Sequence, residues 1–153
     1  MKNTFFYCCL ATLLSCAVRP QTQSIQLLSK ETVGFFSLQC DGKGDSRSEA
    51  ETDAKRFALS QILYNGLPNA SISDLRLPLV EDKNKLTTSQ IASANRLMDG
   101  ESMNRYFTEV AWVDQQPMKT ASGEKMQRFR MKVNYDLFRK DLENQGVVRK
   151  FGL

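Results

Sequence analysis

The 153-residue chain contains no histidine. A Ser-His-Asp or Cys-His nucleophile pair therefore cannot be built, nor a His-ligated zinc or haem site. The side chain that most readily moves protons near neutral pH is missing as well. Enzymes can work with paired carboxylates, Lys or Tyr, so this absence lowers the case for catalysis without closing it. Charge of one sign is also in short supply: 21 Lys and Arg stand against 17 Asp and Glu. A nucleic-acid binder needs a concentrated basic face, and this balance gives none. Long apolar runs are scarce. The uncharged stretch Thr4–Ser15 is the main one, and it falls short of the roughly 20 residues that span a bilayer. The length suits one domain.

That first stretch follows Met1 and Lys2 and precedes a polar segment containing Pro20. A short positive end followed by an apolar region of about 7–15 residues is the pattern of a secretory signal peptide. Its end, Leu13-Leu14-Ser15-Cys16, resembles the lipobox of bacterial lipoproteins: a Leu three before the cysteine, a small residue, then Cys. The resemblance implies that residues 1–15 are removed as a signal peptide. Cys16 would then carry a diacylglyceryl group as the first residue of the mature chain. Two or more acyl chains hold a protein stably on a membrane, at about 0.8 kcal/mol per buried CH2. Residue 17 is Ala and no acid precedes Glu31. By resemblance to lipoprotein sorting rules, this implies the outer membrane, facing the periplasm.

Cysteine arithmetic follows. Of the four cysteines, Cys8 and Cys9 leave with the leader and Cys16 goes to lipid. Cys40 remains, so no intramolecular disulfide forms. It lies in an apolar strand-like run, where a buried thiol is favoured over an intermolecular disulfide.

Residues 16–30 are read as a lipidated tether, rich in Gln and Ser with Pro20. Flexible chain of that length holds a domain roughly 20 Å from its lipid. Residues 31–153 are then a single domain. Thr32–Cys40 alternates as a strand with Phe36, Leu38 and Cys40 inward, and Asp41-Gly42-Lys43-Gly44-Asp45 is read as its break. Residues 46–65 form an alanine-rich helix, with Ser46 or Ser48 as cap and Ala50, Ala54, Phe57, Ala58, Gln61 and Ile62 on one stripe. Leu75, Leu77 and Leu79 suggest a short edge strand because Pro78 forbids a central one. Thr87 and Gln90 have capping-box spacing, and a helix over 88–99 is predicted. Residues 105–114 and 126–135 are strand-like, joined by a polar loop. Asp136 is read as the cap of a helix over 137–145. The expected fold is α+β: a small antiparallel sheet with the 46–65 helix packed on one face, plus two shorter helices.

The run from Glu49 to Leu59 (EAETDAKRFAL) after a Gly-Asp turn resembles the N-terminal domain of the flagellar-assembly T protein and related small outer-membrane lipoproteins. The resemblance covers residues 32–66 and, more loosely, 105–135. It implies service in an envelope structure rather than catalysis.

Candidate chemistry is thin. Asp41, Asp45, Glu81, Asp82, Asp99 and Glu101 all sit in turns or polar segments, whereas a catalytic pair needs buried carboxylates in a cleft. Gly42-Lys43-Gly44 lacks the spacing of a phosphate loop. No metal set or cofactor motif is found. Arg128, Arg130 and Lys132 share one face of the last strand and are the candidate binding surface, for an acidic partner, anionic glycan or lipid headgroups. Their alternative role is the solvated face of an amphipathic strand. The leading expectation is a non-enzymatic lipoprotein docking a partner in an envelope machine, such as a type VI secretion system or a conjugation apparatus. A glycan- or lipid-binding lipoprotein comes second, and a His-independent hydrolase third.

Overall fold

The computed structural model describes residues 22–67, 70, 73–113, 117–120 and 122–150. Residues 1–21, with the expected signal peptide, the expected lipobox cysteine Cys16 and the first part of the expected tether, lie outside the described residues. The rest forms an α+β fold with a five-stranded antiparallel sheet. The strands are β1 (Ile25–Lys30), β2 (Phe35–Lys43), β3 (Phe107–Trp112), β4 (Met118–Lys119) and β5 (Lys125–Asn134). Their order is β1-β2-β5-β3, with β4 continuing alongside β5 past the end of β3. The helices are α1 (Arg47–Tyr64), α2 (Ser73–Arg76), α3 (Thr88–Leu97), α4 (Gly100–Asn104) and α5 (Tyr135–Asn144).

The alanine-rich helix packs on β2 and β5 as its stripe predicts. Ser46 caps α1 and forms a reciprocal capping box with Glu49, satisfying two orphan backbone donors. Ala50, Ala54, Ala58, Leu59, Ile62 and Leu63 are all buried. Their partners are Phe36, Leu38 and Cys40 on β2 and Phe129, Met131 and Val133 on β5, which form one core with them. The alanines bring the helix very close. A Cβ on Gly42 would lie 1.9 Å from the Ala50 carbonyl oxygen and 2.7 Å from the Ala54 Cβ. No side chain fits between strand and helix there.

Several expectations are corrected. The expected tether over residues 16–30 does not extend to Lys30. Residues 25–30 are an edge strand, paired with β2 from Ile25↔Cys40 to Lys30↔Phe36 with a bulge between Leu27 and Ser29. Ile25 and Leu27, a weak apolar signal in a polar segment, face the core edge. The strand β2 does not stop at Cys40 but continues through Lys43. Asp41, Gly42 and Lys43 pair with Arg128, Gln127 and Met126. Leu75 belongs to the helical turn α2 and is buried, while Leu77 is exposed, so no strand forms there. The predicted 88–99 helix ends at Leu97, and the short α4 follows. Asn134 rather than Asp136 caps α5, accepting from the Leu137 backbone. In the polar loop, Met118–Lys119 pairs back onto Lys125 and Met126.

The contact at Gly42 is a stability test. Overpacking a filled site costs about 1–3 kcal/mol, so Gly42→Ala is expected to lower the unfolding free energy by that amount and move the urea midpoint down accordingly. A substitution on the solvent side, such as Gln39→Ala, is expected to leave the midpoint nearly unchanged.

Candidate functional site

Alternation on β5 puts Phe129, Met131 and Val133 against α1, so Arg128, Arg130 and Lys132 line the opposite face. The sequence placed these three together correctly. It did not show what stands opposite them on the neighbouring strands. Each cross-strand register adds a partner: Asp41↔Arg128, Gln39↔Arg130 and Ser37↔Lys132 from β2, and Glu109↔Lys132 from β3.

Arg128 therefore meets a carboxylate. Its Nε donates to Asp41 Oδ1 at 2.7 Å and its Nη2 to Oδ2 at 3.3 Å. The Asp41 side chain is 2% exposed and that of Arg128 30%. The Ser24 backbone N–H donates to the same carboxylate at 3.2 Å, and the Ser24 hydroxyl also donates to it. A buried carboxylate survives when its lone pairs are filled in this way. Beside it, Asp53 on α1 accepts from the Lys43 backbone N–H at 2.8 Å and from the Gln23 side-chain amide. Together Asp41 and Asp53 fasten residues 23 and 24, where the chain enters β1, to the sheet and the helix.

Lys132 is also matched. Its Nζ lies 2.9 Å from Glu31 and 3.6 Å from Glu109, and sits over the Phe35 ring at 5.7 Å. The Ser37 hydroxyl donates to Glu31. That bond, with Lys132 beside it, holds the Glu31 carboxyl below the usual carboxylate range, and Glu31 in turn raises Lys132. Arg130 is the exposed member of the stripe. The surface expected to be basic is thus a chequerboard of acids and bases, with two of its three cations neutralised. An anionic glycan or headgroup would compete with carboxylates already in place.

The other carboxylates have structural partners or face solvent. Asp45 stands 3.8 Å from Lys125, Asp82 caps a 3-10 turn, and Asp99 pairs with Arg56. Glu81 and Glu101 are exposed. One polar cluster escaped the sequence reading. The buried Tyr106 donates its hydroxyl to Asp141 at 3.0 Å and accepts from Arg105 at 2.9 Å, with Arg105 2.7 Å from Asp141. Burial raises the Tyr106 hydroxyl above its ordinary value. Tyr106 packs edge-on against Phe138, so this cluster ties α5 to the start of β3. Among the described residues no group of three or more His, Cys, Asp or Glu is arranged to hold a metal ion.

Cys40 is fully buried under α1, its thiol directed at the Ala54 carbonyl at 3.4 Å. Burial pushes the thiol far above its ordinary value. No protein-family model matches the chain, and neither does any curated protein or solved structure.

Two outcomes test this description. Breaking a buried ion pair costs about 3–5 kcal/mol, reduced where one partner is as exposed as Arg128. Asp41→Ala is accordingly expected to cost about 2 kcal/mol in urea unfolding, and to release hydrogen-exchange protection at Ser24 before the α1 core is affected. Cys40 is expected to resist iodoacetamide in the native protein and to react fully in denaturant, since only the thiolate alkylates. Rapid native labelling would contradict its burial.

Proposed function

We propose that the chain is a non-enzymatic bacterial lipoprotein, anchored through Cys16 to the periplasmic face of the outer membrane. Its α+β domain acts as a docking subunit of a cell-envelope machine, of the secretion or conjugation kind. The signal-type leader and the lipobox at Leu13–Cys16 support the anchor. The observation that favours docking over capture of an anionic ligand is the neutralised stripe. Arg128 and Lys132 are held by Asp41, Glu31 and Glu109. A surface of alternating charge with Arg130 exposed suits a protein partner with complementary acids and bases, where such charges set register and specificity. Among the described residues, the sheet also leaves one edge of β1 and one edge of β3 without a neighbouring strand, and unpaired strand edges are templates for strand addition.

Affinity isolation of the full chain from detergent-solubilised membranes is expected to recover other envelope proteins in stoichiometric amount. Charge reversal at Arg130 is expected to reduce that recovery at least several-fold, and the lipoprotein eluting alone would refute the docking role. A Cys16→Ser variant separates the two parts of the reading. It is expected to lose membrane fractionation, and normal processing with unchanged fractionation would remove the anchor.

A further inference from the structure

The described residues begin at one end of the sheet, and two exposed apolar side chains, Trp112 and Val113, stand at that end. Ile25, Cys40, Phe129 and Trp112 stand on a single rung across β1, β2, β5 and β3. Three inter-strand spacings of about 4.8 Å put Trp112 roughly 15 Å from Ile25. Beyond that rung, towards the end where Ser24 leads into β1, lie Val113, Met118, Lys119, Lys43 and Lys125.

Trp112 is 38% exposed and Val113 40%; Leu28, Val33 and Leu77 are the other large apolar side chains exposed among the described residues. The Arg47 guanidinium stacks 5.3 Å from the Trp112 ring centre. The acids at this end are already engaged: Glu124 lies 3.0 Å from Lys43 and Asp45 3.8 Å from Lys125. Arg47, over the Trp112 ring, and the exposed Lys119 on β4 are further cations at this end. An indole and an aliphatic side chain bordered by long cationic ones match the composition of a membrane–water interface.

The covalent geometry supplies the occupant. Between Cys16 and Ser24 the backbone reaches at most about 29 Å when fully extended, and on the order of 16 Å as flexible chain. Asp41 and Asp53 fix residues 23 and 24 to this same end, so the leash cannot lengthen by peeling β1 without breaking that cluster. A short leash also raises the local concentration of lipid at a weak patch.

We infer that this end of the sheet is the membrane-facing end, with Trp112 and Val113 seated in the headgroup layer and Arg47 and Lys119 against lipid phosphates. This rests on the anchored reading. The orientation puts the Arg128 end of the chequerboard, level with Val113, nearest the bilayer and the Lys132 end farthest from it.

Trp112 is the only tryptophan of the chain, so intrinsic fluorescence reports this site alone. The full lipidated chain would be reconstituted into phosphatidylethanolamine–phosphatidylglycerol vesicles, with and without acyl-brominated lipid. The expected result is flotation with the vesicles, a blue-shifted emission, and loss of most of that emission to bromine. Val113→Asp and Lys119→Glu are each expected to restore emission while flotation persists. Flotation with an emission indifferent to bromine overturns the inference and leaves the anchor standing. Failure to float overturns the anchored reading, and this inference with it.

Discussion

The closeness of α1 to the sheet is the constraint on which the rest of the structure depends. Alanine at 50, 54 and 58 lets the helix backbone descend until the Ala50 carbonyl occupies the place a side chain at residue 42 would take. Gly42 is therefore an interior residue of a strand, where glycine ordinarily weakens pairing. It is tolerated because strand and helix could not otherwise approach so closely. Once α1 is seated, its bulkier residues Leu59, Ile62 and Leu63 reach the remaining core, and the Cys40 thiol is enclosed beneath Ala54.

Asp41, the residue before Gly42, organises the other face. Successive residues of a strand point to opposite sides, so with Gly42 beneath α1, Asp41 must face away from it, across from Arg128. A carboxylate at that depth requires compensation, and the Arg128 guanidinium together with Ser24 provides it. The ion pair adds little net stability over apolar isosteres. Its consequence is positional: it recruits Ser24, and with it the first strand. Residues that compositional reasoning assigned to a flexible leash thereby become a structured edge.

Legibility in the sequence divided along these lines. Local signals correspond to observed elements: the Ser46 cap, the Thr87–Gln90 capping box, the alternation of Phe129, Met131 and Val133, and the α1 stripe. What was misread depended on non-local contacts. Asp41-Gly42-Lys43 has the composition of a turn, and only its pairing with residues 126–128 keeps it in a strand. Ile25 and Leu27 sit among Gln and Ser, and their strand forms because β2 offers an edge. For the candidate site, the sequence placed Arg128, Arg130 and Lys132 on one face. It could not show that Asp41 and Glu31, both far away in sequence, and Glu109 would arrive beside two of them.

Those carboxylates change the physics of the surface more than the fold does. A stripe of three unopposed cations would attract polyanions at long range and lose that attraction with salt. Arg128 and Lys132, matched at hydrogen-bond distance, contribute little field beyond the sheet, and only Arg130 extends a full charge into solvent. In the proposed docking role, recognition on this face works at contact range, through geometry and paired charges, as protein interfaces do. Contact-range recognition in turn favours a domain held at fixed orientation. Under the proposed anchor at Cys16, the leash is shortened by the hold on Ser24 of the same Asp41 that neutralises Arg128, which acts in that direction.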